Sequence, residues 1–230
     1  MKKVIVGVFA HPDDESFGPA GTLILEHEQG TEIHLITLTA GEAGANPDNV
    51  DDLGALRLKE WRKSGEIIGA SSMTYLGYTD GQLNNDVMQE AADKIEEKLG
   101  EILADNAVKE LQLMCFELGG LSGHIDHIVA SRAACAVFYR LKPSDQRLTK
   151  IRLFCLPEEW QPDPDVSWIF MDKGYNTADL EAVDVSSCCD KRMQVIRAHH
   201  SQRLDGERFI QKCNDPAAEV AHFDYFVSRS

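Results

Sequence analysis

The chain is poor in positive charge: 23 Lys and Arg stand against 38 Asp and Glu, a formal net charge of −15. Sequence-independent binding to nucleic-acid phosphates or to an anionic bilayer needs clustered Lys and Arg, so neither partner class is expected. No apolar run approaches the ~18 residues of a membrane span. The stretch Val4 to Ala10 is short, meets His11-Pro12-Asp13 at once, and reads as a strand rather than a signal peptide. The six cysteines include no CxxC pair; Cys115, Cys135, Cys155, Cys188, Cys189 and Cys213 are scattered and read as reduced, mostly buried thiols of a cytoplasmic protein. Disorder is excluded too, because 43% of the residues are hydrophobic and 27% charged.

At ~100–200 residues per domain, 230 residues read as one domain over 1–230 with a C-terminal extension of the same core. The strand Val4 to Ala10, the helical segment Ala20 to Gln29 and the β-rich run Glu32 to Thr39 form a βαβ unit, which implies a parallel sheet. The pattern repeats through a helix over Leu53 to Gly69, a strand over Ser72 to Leu76 and a helix over Val87 to Leu103. It continues through a strand over Leu111 to Phe116, a helix over Ile128 to Leu141 and a strand over Ile151 to Leu156. After Pro157 the texture changes. Pro162 to Asp165 reads as a loop, Val166 to Met171 and Ala182 to Val185 as strands, Ser186 to Ala198 as a helix, and Val220 to Val227 as an edge strand. The fold class is α/β: a Rossmann-like, open, mostly parallel sheet with helices on both faces.

In such sheets ligands bind beyond the carboxyl ends of the strands. The turn after the first strand is His11-Pro12-Asp13-Asp14-Glu15, dense in ligand-type side chains and without a GxGxxG or GxxxxGK[ST] loop, so dinucleotide and P-loop readings lose their support. His11 and Asp14, three apart on a tightening turn, can point at one ion while Asp13 points elsewhere, and imidazole with carboxylate suits zinc. The turn after the fourth long strand runs from Gly119 to His127, where three glycines in five residues precede His124 and His127. Two histidines and one carboxylate with an open fourth position make a catalytic rather than a structural zinc site.

These residues carry a resemblance to a known family. Ala10 to Glu15 and His124-Ile125-Asp126-His127 resemble the two signature motifs of the LmbE-like (PIG-L) zinc-dependent de-N-acetylases. The similarity extends through Thr39 to Glu42, Arg57 to Glu60, Tyr78 to Gly81 and Ala198 to Gln202. The resemblance implies a metal, zinc or another divalent ion, held by His11, Asp14 and His127. It implies Asp13 as general base and a positively charged His124 that faces the oxyanion or protonates the leaving amine. Asp126 either orients His124 or braces His127. Glu42, Arg57 and Asp80 match positions that contact sugar hydroxyls or the aglycone, Arg57 as a fork for an acidic group. His199 matches a further motif position, and Glu15 is expected to brace the turn.

Two departures stand out: Ile125 where many members have proline, and Ser122-Gly123 where some have a tyrosine. The activity implied is removal of acetate from an N-acetylglucosamine-type conjugate, a small-molecule amino sugar. The alternatives are an amidase for a larger acyl or cysteinyl amide, and a non-catalytic metal-binding protein, which would not need Asp13 and His124. Family members are often homo-oligomeric, though no apolar stripe in this chain identifies an interface.

Overall fold

The structure, a computed structural model, describes residues 2–160, 174–215 and 218–230. Among the described residues seven strands form one sheet in the order β3-β2-β1-β4-β5-β7-β6. The strands β1 (Lys2–Phe9), β2 (Glu32–Thr39), β3 (Ala70–Tyr78), β4 (Val108–Phe116) and β5 (Leu148–Cys155) are parallel. β7 (Phe223–Arg229) runs antiparallel between β5 and β6 (Glu181–Asp184). The α/β reading holds, and the C-terminal extension is the antiparallel edge.

β1 and β4 are nearly continuous in apolar residues because both their faces are covered. Side chains alternate across the sheet. Val4, Val6, Val8, Leu111 and Leu113 pack under the helices α4 (Asn85–Leu103) and α6 (Ile125–Leu141). Ile5, Phe9, Met114 and Phe116 face α2 (Ala20–Glu28), α3 (Leu53–Ile68) and α7 (Cys189–Ala198). Two short helical turns, α1 (Asp14–Phe17) and α5 (Gly120–Gly123), follow β1 and β4.

α6 starts at Ile125, three residues before the expected Ile128, because the His124 ring accepts a hydrogen bond from the Asp126 amide and caps the helix. That places His127 in its first turn. Helix α8 (Arg203–Asn214) was not expected from the sequence. Its apolar signal is sparse: only Gly206, Ile210 and Cys213 are buried, while Leu204 is 64% exposed. The segment expected as a strand over Val220 to Val227 begins as a short 3-10 turn, with strand pairing from Phe223. The expected loop Pro162 to Asp165 and strand Val166 to Met171 lie outside the described residues.

The sheet's antiparallel edge is tied in by a buried guanidinium. Arg152 on β5 bonds Glu26 of α2 at 3.1 Å and Glu181 of β6 at 2.5 Å, and lies 4.7 Å over the Phe226 ring. Burial pushes both carboxyls up, and their partners, Lys3 and Thr31 for Glu26, Ser228 and Lys150 for Glu181, and Arg152 for both, hold them below the ordinary glutamate value of 4.5. Their stabilisation is therefore complete above pH 4.5 and lost as the pH falls through the lowered values. Arg152→Met is expected to destabilise the chain by about 3 kcal/mol at pH 7, the low end for a broken buried pair because other cations remain. Urea denaturation at several pH values checks both points, the acid loss being shallower in the variant.

Candidate active site

The strand order reverses between β1 and β4, so their C-terminal loops diverge and leave a crevice at the switch point. The chain turns sharply after β1. The Ala10 carbonyl accepts from the Thr39 amide at 2.9 Å and from the Thr39 hydroxyl at 2.9 Å, which ends the strand. Asp13 then takes φ 107°, a left-handed conformation costly for a side-chain-bearing residue, at about 1–3 kcal/mol. It is held there from every side. Its carbonyl accepts from the Ser16 and Phe17 amides at 2.8 Å, its amide donates to Glu15 Oε2 at 3.3 Å, and its carboxylate accepts from Arg57 at 2.9 Å. Glu15, fully buried, also accepts from Ser16 and Ser64 at 2.6 Å and meets His199 Nε2 at 3.2 Å. Glu15 thus braces the turn as expected, and His199, 1% exposed, lies behind it rather than on the crevice wall.

After β4 the carboxylate of Glu117 accepts from the Gly119 amide at 2.6 Å and the Leu121 amide at 2.7 Å, and from the Tyr175 hydroxyl at 3.2 Å. This organises the glycine loop. Gly120, at φ 72°, has no room for a side chain: a Cβ there would sit 2.9 Å from His127 Cβ and from the Ile128 amide nitrogen. Its carbonyl faces His127 Nδ1 at 3.0 Å.

The two loops bring His11, Asp13, Asp14, His124 and His127 to one cavity of about 440 Å³. His11 Nδ1 lies 3.0 Å from His127 Nε2, His127 Nε2 lies 3.2 Å from Asp14 Oδ1, and His11 Nδ1 lies 3.9 Å from Asp14 Oδ2. Donor atoms around a tetrahedral zinc are roughly 3.3–3.6 Å apart, given ~2.0–2.2 Å bonds; the two distances to His127 Nε2 come within about 0.3 Å of that spacing, and the 3.9 Å from His11 is to the other Asp14 oxygen. Chemistry fits as well. Each histidine has its far nitrogen committed: His127 Nδ1 donates to the Gly120 carbonyl, and His11 Nε2 meets Asp80 Oδ1 at 2.9 Å and Asp126 Oδ2 at 3.3 Å. Those bonds leave His11 Nδ1 and His127 Nε2 turned inward toward each other, where a metal ion would replace the proton shared between them. The third histidine, His124, also offers a ring nitrogen within 4.8 Å of those of His11 and His127. Its Nδ1, however, accepts the Asp126 amide at 3.2 Å.

The electrostatics are those of a cation site. Burial pushes the His11 imidazole down, but the hydrogen bonds to Asp126 and Asp80 and the charge of Asp14 outweigh it and hold the ring up at about 10. The surrounding negative charge thus draws a proton where it could draw a metal ion. Burial pushes Asp14 up, and the His127 and His11 rings bring it well below the carboxylate range. Burial raises Asp13 to about 6, against the opposing charge of Arg57 and with that of Asp14. His124 is pushed down, first by burial and then by the neighbouring His11 and His127. This is the opposite direction to the positively charged ring expected from the sequence, and with Nδ1 on the Asp126 amide the nitrogen left to face the cavity is Nε2.

Other expectations are also corrected. Asp126, 1% exposed, orients neither His124 nor His127 with its carboxylate: it bonds His11 and accepts from the Gly81 and Leu83 amides at 2.7 and 3.2 Å. Asp80 has one oxygen on His11 and the other on the Ala43 amide at 2.9 Å, leaving little to read a sugar hydroxyl. Glu42 is not on the cavity wall and accepts from the Asp80 amide at 3.0 Å. Arg57, 4% exposed, bonds Asp13, the Pro12 carbonyl at 2.7 Å and the Gly41 carbonyl at 2.6 Å through its two terminal nitrogens, while its Nε is buried without a partner, so no part of the fork reaches out to a substrate. Phe17, Asp205 and Phe209 stand on the wall without having been singled out in the sequence. The two α8 residues had no signal because the helix itself had little.

Fold and donor set together are those of a metal-dependent hydrolase. A family model described as "PIG-L: GlcNAc-PI de-N-acetylase" matches residues 6–138, more than half of the chain, and the chain belongs to that family. It is 27% identical over 212 residues to a probable N-acetyl-alpha-D-glucosaminyl L-malate deacetylase 2 of Bacillus subtilis, across 88% of this chain and 84% of that one. It is 27% identical over 261 residues to a 1D-myo-inositol 2-acetamido-2-deoxy-alpha-D-glucopyranoside deacetylase 2 of Saccharopolyspora erythraea, across 94% and 90%. The N,N'-diacetylchitobiose deacetylase of Pyrococcus horikoshii shares the fold, with TM-score 0.68 at 18% identity over 99% of this chain and 83% of that one.

Arg57→Met is expected to leave Asp13 buried and unpaired in its left-handed turn, at a cost of about 3–5 kcal/mol in thermal or urea unfolding. Arg57→Lys should recover only part of this, because an ammonium cannot reach three acceptors in the plane of a fork. Full recovery by lysine would show that charge alone holds the turn.

Proposed function

We propose that the chain is a zinc-dependent hydrolase that removes the acetyl group from an N-acetylglucosamine-type conjugate, with His11, Asp14 and His127 as metal ligands. The observation that carries this reading is the inward turn of His11 Nδ1 and His127 Nε2 beside Asp14, with a second, unliganded carboxylate, Asp13, on the same wall. A protein that only stores a metal has no use for that second carboxylate. The named activities of the two relatives support the amino sugar.

A bound divalent cation supplies Lewis-acid polarisation of the acetyl carbonyl and lowers the pKa of a water to ~7. The chain's own residues do the rest. Asp13, on the same wall but outside the ligand set, takes a proton from the attacking water and returns it to the departing amine. Arg57 keeps that carboxylate aimed into the cavity through its bond to Oδ2. His124, neutral with its Nδ1 engaged by the Asp126 amide, presents Nε2–H as donor to the carbonyl oxygen as charge develops there. Asp80 and Asp126 position His11, and the Gly120 carbonyl positions His127. Water and amide thereby become acetate and a free amine, with the proton carried by Asp13.

Acetate release from N-acetylglucosamine conjugates by the zinc-loaded chain is the test. Asp13→Asn is expected to lose about 10²–10⁴-fold in kcat while retaining metal by elemental analysis. His127→Ala should lose both metal and turnover. Turnover retained in Asp13→Asn would remove Asp13 as proton carrier, and metal lost in that variant would make it a ligand. Asp80→Asn and Asp126→Asn are expected to weaken metal affinity by about 10–100-fold through His11 alone, measured by competition with a chelator.

A further inference from the structure

The group attached to the sugar has to lie in the outer part of the same cavity. Asp13, Asp14 and Asp80 on the described wall are already answered by Arg57, His127 and His11, which leaves Asp205 as the outer carboxylate, and the wall's one Arg or Lys is Arg57. That guanidinium is already bonded to Asp13, Pro12 and Gly41. The loop of Gly41 and Gly44 closes over it so tightly that a Cβ at either residue would come within 2.4 or 2.3 Å of guanidinium atoms. Arg208, the exposed neighbour that stands 3.5 Å from Asp205, is not on the wall. An anionic substituent therefore meets Asp205 and finds no Arg or Lys on the described wall beyond the already bonded Arg57, an arrangement that selects against such a partner.

The same wall is apolar where it is not acidic. Phe17 and Phe209 are stacked, with ring centroids 5.1 Å apart and planes 11° from parallel, and both stay partly accessible at the cavity. Leu121 joins them. Ile125 and Leu204, next in the chain to His124 and Asp205, are 58% and 64% exposed. An accessible aromatic pair beside a polar reaction centre is how small-molecule sites hold an apolar ligand face.

Resting on the deacetylase reading above, we propose that the substituent on the amino sugar is uncharged and presents an apolar face to Phe17 and Phe209. This separates the chain from its Bacillus subtilis relative, whose named L-malate substituent carries two carboxylates, at the level of the group attached to the same sugar.

The experiment measures acetate release by the full zinc-loaded chain from four probes: N-acetylglucosamine and its phenyl, myo-inositol and L-malate glycosides. The phenyl glycoside is expected to exceed the malate glycoside in kcat/KM at least about tenfold, with most of the difference in KM. Phe209→Ala should cut the phenyl-to-malate ratio by about tenfold, and Asp205→Asn should reduce it by raising the malate value. Phe209→Leu, which keeps an apolar side chain in α8, is the second variant should the alanine form fail to fold, and it should lower the ratio less. A malate rate equal to or above the phenyl rate, or a ratio unmoved by the Phe209 change, overturns the inference while acetate release itself upholds the deacetylase. Silence on all four probes, with zinc bound, overturns the deacetylase reading and this inference with it.

Discussion

Four aspartates, Asp13, Asp14, Asp80 and Asp126, lie buried within reach of two histidines, and burying like charges together is the constraint that the surrounding structure answers. Each carboxylate is answered separately. Asp14 Oδ2 accepts from the Ala10 and His11 amides at 3.0 and 2.9 Å, Asp126 from the Gly81 and Leu83 amides, Asp80 from the Ala43 amide, and Asp13 from Arg57. The remaining negative charge converges on His11. In the absence of a cation a proton on that ring offsets it, and the raised imidazole value records the strength of the field. The same field favours a divalent ion, so the geometry and the electrostatics of the site have one origin.

The loops serve that arrangement more than they serve themselves. Asp13 holds a left-handed conformation and Leu121 another, at φ 63°. Both sit directly after central strands, where the sheet on either side is rigid and a buried glutamate, Glu15 or Glu117, accepts hydrogen bonds from the turn. Local strain is sustained because the strands and these carboxylates over-determine the backbone. Arg57 extends the same logic across the crevice. It comes from α3, yet its hydrogen bonds join the turn after β1 to the loop after β2, so the Asp13 carboxylate is fixed by a residue 44 positions away in sequence.

Spending Arg57 on structure has a consequence for recognition. A cation free to meet substrate would attract acidic substituents; a cation locked under two glycines leaves Asp205 and the aromatic pair to define the outer cavity. Selectivity here follows from what the scaffold has already used.

The parallel core was legible because strands buried on both faces, such as Val4 to Phe9 and Leu111 to Phe116, leave near-continuous apolar runs, the second broken only by Gln112, and the ligand-rich turns were legible because they follow those runs directly. The two strands of the antiparallel edge were legible as strands, over Ala182 to Val185 and Val220 to Val227, but not their order, which puts β6 rather than β7 at the edge; α8 was not legible, since a helix with three buried residues carries no strong period. The identities and spacings His11-x-x-Asp14 and His124-x-x-His127 are local, and sequence alone determined them, as it determined the family motifs and the acidic balance. What Asp126, Asp80 and Arg57 touch is not local. Asp126 faces His11 from 115 residues away, and Arg57 faces Asp13 from 44, distances that only the strand order closes. Their partners were settled when the strand order brought α3 and the loops after β3 and β4 to the turn after β1, because a side chain bonds what the fold places within about 3 Å of it, not what precedes or follows it in the chain.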